Sequence, residues 1–163
     1  MTIPTGYTAA CGKLTIGNSA AGTAGVLSFT DATSILNVND DVLMNRPGGN
    51  NTTSTIGLGA GTMTIGGNLQ LDYHTSSSVV ASRVNNVTIT TGTLNVNGNV
   101  LIDAETNAQG QIVFSGAGAL NIGGDLRLTN LFAITSYNNA QVNMLSTGTR
   151  ITSNVAGNVI LTV

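Results

Sequence analysis

The stretch G-T-L-N-V-N-G-N-V-L-I at residues 92–102 decides the fold, because the chain repeats it. Residues 61–71 read G-T-M-T-I-G-G-N-L-Q-L and residues 118–128 read G-A-L-N-I-G-G-D-L-R-L, while residues 34–44, S-I-L-N-V-N-D-D-V-L-M, are a worn fourth copy. Their starts lie 27, 31 and 26 residues apart, a period that belongs to stacked repeat architectures rather than to an ordinary globular core. In each copy two apolar residues at alternate positions lead into a Gly/Asn/Asp corner, and two more at alternate positions follow. Period-two alternation marks a strand, so each copy predicts strand, turn, strand.

The same alternation predicts which residues meet between copies. Leu36, Met63, Leu94 and Leu120 share a face with Val38, Ile65, Val96 and Ile122, and Asn37, Thr64, Asn95 and Asn121 point the opposite way. The second strand gives two further apolar columns, Val42, Leu69, Val100, Leu126 and Met44, Leu71, Ile102, Leu128. Between the strands stand Asp40-Asp41, Gly67-Asn68, Gly98-Asn99 and Gly124-Asp125, residues that accept unusual backbone angles or bond their own backbone. A third strand type occupies residues 24–32, with counterparts at 50–61, 86–92, 111–118 and 140–148. Variable excursions at residues 45–51, 72–83, 103–110 and 129–139 all leave after the second strand, and therefore along one edge. Residues 157–163, G-N-V-I-L-T-V, read as the second half of a last coil. The expected fold is all-β: a parallel β-helix, or β-solenoid, of about six coils of three short strands, forming one domain over residues 1–163 and standing on the order of 30 Å tall. Residues 130–137 are the single short helix candidate.

Composition narrows the function classes. The 163 residues are 41% hydrophobic, which argues against disorder. Only 7% are charged, against roughly 25% in ordinary soluble domains, so Thr, Ser, Asn and Gly must cover the exterior. A net charge of -2 with five Lys and Arg spread along the chain offers no basic patch for phosphate backbones, and the reading is no nucleic acid. No apolar run approaches the roughly 20 residues of a bilayer span, so no membrane insertion is expected. Cys11 is the single cysteine; it forms no intrachain disulfide and reads as a small buried apolar residue. Met1 leads straight into T-I-P-T-G-Y-T without a basic segment and apolar stretch, which reads as a mature or excised segment, the favoured reading, or as a cytoplasmic chain.

The opening T-I-P-x-G-x-T followed by A-A-C-x-x-L-T-I-G resembles the opening of β-helical repeat regions in large secreted surface proteins of Bacteroidetes-type bacteria. The later G-T-L-N-V-N-G-N-V and G-A-L-N-I-G-G-D-L are similar to their continuing coils. The resemblance covers nearly the whole chain and rests on structural motifs, so it implies a fold and an extracellular or cell-surface location. Those proteins are long and end in a C-terminal sorting domain, and neither a signal nor such a tail stands in this sequence.

Few residues could carry chemistry. Aligning Leu71 with Ile102 sets Asp72 beside Asp103 and His74, the only histidine, beside Glu105. Such a group has the chemistry of a cation site or an acid–base pair, but a loop edge is also where charge is tolerated, and stacked like charges repel. The residues are taken as ligand-contact candidates, with no catalytic or metal role and no cofactor. Tyr73 and Tyr137, on excursions, join them as rings able to stack a sugar. With His74 the only base, no serine or cysteine triad can be assembled. The Gly-Gly-Asn and Gly-Gly-Asp corners invite comparison with calcium-binding glycine-rich rolls, but neutral Asn fills most places where such a site needs carboxylates. A stacked Asn/Asp ladder explains them. Thr-x-Thr does not repeat in register, which speaks against an ice-binding face.

The functional expectation is therefore an extracellular structural protein, not an enzyme: a β-solenoid module that stacks end to end into a surface filament or stalk. Its partner is itself, through end residues Ile3, Tyr7, Val159, Ile160, Leu161 and Val163. The alternatives are an adhesin or glycan-binding module contacting surface glycans and, further off, a polysaccharide-active enzyme using Asp72, His74, Asp103 and Glu105.

Overall fold

The computed structural model describes residues 1–17, 24–45, 52–73, 83–104, 108–130, 140–144, 150–153 and 159–162. Every regular element among them is a strand. The chain lays strands down in threes: β1 (Thr2–Ile3), β2 (Thr8–Cys11) and β3 (Leu14–Ile16); then β4 (Val26–Phe29), β5 (Ile35–Val38) and β6 (Val42–Asn45). Next come β7 (Thr52–Gly59), β8 (Thr62–Ile65) and β9 (Leu69–Tyr73), followed by β10 (Arg83–Ile89), β11 (Thr93–Val96) and β12 (Val100–Ala104). β13 (Ala108–Phe114), β14 (Ala119–Ile122) and β15 (Leu126–Asn130) precede β16 (Ala140–Met144), β17 (Arg150–Ser153) and β18 (Val159–Thr162). Each strand pairs in parallel with the strand three places before or after it, which generates three six-stranded sheets. This is a β-solenoid.

About four turns, carried by β4 to β15, have a neighbouring coil on both sides. The expected figure of about six is therefore too high, because it counts as full coils the two terminal strand triplets, each of which has a neighbour on one side only. The helix candidate at residues 130–137 begins at Asn130, the last residue of β15, and otherwise lies outside the described residues. The connections from β6 to β7, β9 to β10, β12 to β13 and β15 to β16 all run from the third sheet to the first. The excursions therefore share one edge, as their sequence positions imply.

The core is built of like residues in columns. Leu36 pairs with Met63, Met63 with Leu94 and Leu94 with Leu120, each in register. A middle coil turns six apolar side chains inward, two from each strand; in one these are Val87, Ile89, Leu94, Val96, Val100 and Ile102, all buried. Apolar residues cover both faces of each inward layer except at the ends, and each full burial contributes ~1.5 to 3 kcal/mol. Parallel sheets need this complete cover on the inner side.

Three departures from pure alternation shape the first sheet. Ser54 and Asn85, register partners in β7 and β10, point inward and are buried. The Ser54 hydroxyl accepts from the Gly25 amide at 3.1 Å, and the Asn85 amide group donates to the Met44 carbonyl at 3.2 Å. The pairing of β7 with β10 then slips by one residue between Thr88 and Ile89. Gly59 absorbs that bulge at φ 57°, a backbone region costly for residues with a Cβ.

At the corner before β5, Asp31 organises the turn. Its Oδ1 accepts from the Thr33 hydroxyl at 2.7 Å and the Thr33 amide at 2.9 Å. The Thr33 hydroxyl first, then Thr5, hold the carboxyl below its ordinary value of 3.8. A lowered folded value means this contribution is present above the unfolded value and is lost as pH falls through the folded one. Asp31→Asn should therefore flatten the acid limb of the stability–pH profile, measured by denaturant unfolding, and leave unchanged the neutral-to-alkaline slope. In the same assay Leu94→Ala should cost about 2 to 5 kcal/mol from lost transfer energy plus a cavity, and outward Asn95→Ala far less.

Candidate functional site

Four features of the solenoid are candidates: the corner between second and third sheets, the outer face of the second sheet, the excursion edge and the coil ends. At the corner, register places Lys13, Asp41, Asn68, Asn99 and Asp125 in one column, since the residues that follow them pair. Asp41 Oδ1 accepts from the Asn68 amide at 2.7 Å, Asn68 Oδ1 from the Asn99 amide at 2.9 Å, and Asn99 Oδ1 from the Asp125 amide at 2.8 Å. The Asn68 side-chain amide also donates to Asp41 Oδ1 at 3.2 Å. Lys13 brings no acceptor, so the ladder starts at Asp41. Its last carboxylate, on Asp125, lies 3.7 Å from Arg127. A Cβ on Gly98 would lie 2.7 Å from Asn68 Oδ1, and one on Gly67 or Gly124 would collide with the ladder oxygen of the coil before it. Glycine precedes the ladder residue because the ladder leaves no room for anything else. The oxygens serve backbone amides, the role expected from turn chemistry. Among the described residues no three of His, Cys, Asp and Glu come together as a metal-binding group.

On the outer face of the second sheet a second ladder runs across coils. The Asn121 side-chain amide donates to Asn95 Oδ1 at 2.8 Å, and the Asn95 amide group to Thr64 Oγ at 3.4 Å. Beside it opens a groove of about 440 Å³ lined by Thr64, Asn95, Val96, Asn97, Asn121 and Gly123. Sequence alternation turns Thr64, Asn95 and Asn121 outward but does not show a groove. The missed signal is the column that follows, where exposed Asn97 stands between Gly66 and Gly123. Glycine is required there, because a Cβ on Gly123 would collide with the Asn97 carbonyl.

The excursion edge holds the acidic candidates. Asp72 and Tyr73 end β9, and Asp103 lies near the end of the adjacent β12. β9 and β12 are in register through Leu71 and Ile102. On the other side of β9, Asn45 pairs with Tyr73 after a register shift, so the ladder loses regularity where the excursions depart. His74, Glu105 and Tyr137 lie outside the described residues.

Of the end candidates, Ile3 is buried, and Tyr7 is 65% exposed at the corner before β2. Ala9, Cys11 and Leu14 are only partly buried, although Leu36, Val38 and Val42, their register partners one coil on, are fully covered. At the far end Val159, Ile160 and Leu161 pair with Leu126, Arg127 and Leu128, and Val163 lies outside the described residues.

The chain matches no family model, no curated protein and no solved structure. The corner ladder is open to direct test. Asn68→Ala leaves the Asn99 amide without its acceptor and should cost about 1 to 3 kcal/mol. Asn68→Asp keeps the acceptor but sets a second carboxylate against Asp41. Repulsion raises the folded-state value of the new group, so this variant should be less stable than the parent at neutral pH and close the gap as pH falls to about 4. Chemical denaturation at both pH values reads the difference.

Proposed function

We propose that this chain is a structural module, a β-solenoid that associates end to end with copies of itself into a filament or stalk at a cell surface. The supporting observation is the open first coil. Its three strands pair on one side only, and its inward residues Ala9, Cys11 and Leu14 retain exposure that every equivalent residue one coil on has lost. Such a coil leaves a row of backbone donors and acceptors and part of its apolar tier in water, although Ile3 and Ile16 of the same coil are buried. The surface that fits it best is another coil of the same rise, register and column chemistry. Because the strands are parallel, such a contact joins unlike ends and propagates rather than closing.

The neutral exterior suits this reading. A stalk has no need of steering charge, and hydrogen-bonded ladders of Asn, Thr and Ser supply a hydrophilic surface without like charges in columns. The resemblance of the repeats to secreted bacterial surface proteins is the ground for an extracellular site. The acidic edge is read as solvated surface and not as catalytic machinery.

Sedimentation and electron microscopy of the purified chain test the proposal. High-mass species with an axial repeat near the height of one chain are expected. Cys11→Lys, which sets a charge in the open tier, and Leu161→Pro, which removes a ladder donor from β18, should abolish those species and leave the far-ultraviolet β signal intact. Outward Asn37→Lys should leave them in place. A stable monomer at high concentration contradicts self-association and leaves the open coil to a continuation of a longer stalk.

A further inference from the structure

We infer that the groove on the outer face of the second sheet binds a neutral saccharide. This site is separate from the coil ends, so the inference stands or falls apart from end-to-end assembly. The groove measures about 440 Å³, within the range of about 300 to 1,000 Å³ of small-molecule sites. None of its six lining residues is ionisable. The nearest charged side chains along the chain, Asp125 and Arg127, lie 3.7 Å from each other and so offset one another. An ion entering the groove would lose hydration and find no countercharge. An apolar ligand would cover carboxamides and leave their donors and acceptors without partners.

What the groove does present is a dense set of groups that both donate and accept. A carboxamide carries two donors and an acceptor with two lone pairs, and a hydroxyl is at once donor and acceptor. Asn95 and Asn121 spend only part of that capacity on the ladder, through the bonds from Asn121 to Asn95 and from Asn95 to Thr64. The exposed Asn97 carboxamide makes no hydrogen bond among the described residues. Gly123 on the next coil, where the absence of a side chain lets the two backbones meet, lines the groove beside it. These groups sit on strands about 4.8 Å apart, and the inter-coil bonds fix two of the three carboxamides before any ligand arrives, which lowers the ordering cost of binding. A polyhydroxylated, uncharged ring matches this arrangement: each hydroxyl can accept from one carboxamide and donate to the next. The ladder runs along the solenoid axis over three coils, so a short oligosaccharide lying along that axis meets Thr64, Asn95 and Asn121 in turn.

Saturation-transfer difference NMR on the whole chain tests this and works on a monomer or a filament alike. The probes are neutral mono- and oligosaccharides of hexoses and N-acetylhexosamines, an anionic oligosaccharide, and a capped neutral peptide. Transfer to at least one neutral saccharide is expected. Asn97→Ala should weaken binding about tenfold, and Asn97→Gln should restore most of it. Asn37→Ala, on the same face and one coil before Thr64, should change nothing. Because the Asn97 side chain is exposed and makes no hydrogen bond among the described residues, the variants should keep the parent's melting temperature, which separates lost binding from lost fold. No transfer to any neutral saccharide at millimolar concentration overturns the inference. So does transfer confined to the anionic probe or the peptide, or saccharide binding that Asn97→Ala leaves untouched.

Discussion

A parallel coil rises by one strand spacing, about 4.8 Å, so a strand residue in a middle coil faces its register equivalents in the coils above and below. All else in the structure follows from that constraint. An apolar residue facing inward is buried by its counterparts, which is why Leu36, Met63, Leu94 and Leu120 reach almost complete burial with only strands among the described elements to cover them. A charged residue facing its own kind is repelled, so charge has to be rare or confined to column ends. The corner ladder obeys this rule. Its carboxylates stand at the two ends, Asp41 and Asp125, with neutral Asn68 and Asn99 between them. Three coils put the two acids about 14 Å apart, beyond a Debye length of roughly 8 to 10 Å.

The constraint also explains what could be read from the sequence. Alternation gave the strands, the repeat spacing gave the register of the second and third sheets, and Gly-Asn pairs gave the corner. Those signals are local and recur in each coil. The features that were not legible depend on contacts between unlike residues. Inward Ser54 and Asn85 form a polar column that passes to Gly110 on the next coil, and they bond Gly25 and Met44 on other coils. The bulge at Leu58 and Gly59 breaks the register by one residue, which no periodicity announces. The groove is lined by Asn97 and Gly123, whose backbones approach too closely for a Cβ, and a glycine reads as a turn in sequence whether or not it also lines a recess. Of the acidic edge, sequence alignment placed Asp72 beside Asp103, and the paired register supports the strands that carry them only up to Leu71 and Ile102.

Function then divides along the geometry. The first coil carries strands paired on one side only and partly covered apolar residues, the materials of the proposed assembly. The side face of the second sheet carries fixed carboxamides and an open recess, the materials of recognition. A stalk that displays the same recess once per module would bind weakly at each one and firmly along its length, because linked sites raise effective concentration without any new contact. The two proposals support each other in that way while resting on different residues.

The central claim is that stacked corners, through side-chain oxygens bonded to the next coil's amides, hold the coils in register. Amide hydrogen exchange at single-residue resolution tests it most directly. The account predicts that the Asn68, Asn99 and Asp125 amides, which lie in turns, exchange as slowly as the strand amides of Met63 and Leu94 beside them. Exchange at the rate of open turns, with the strands still protected, would contradict the ladder and the registry argument built on it.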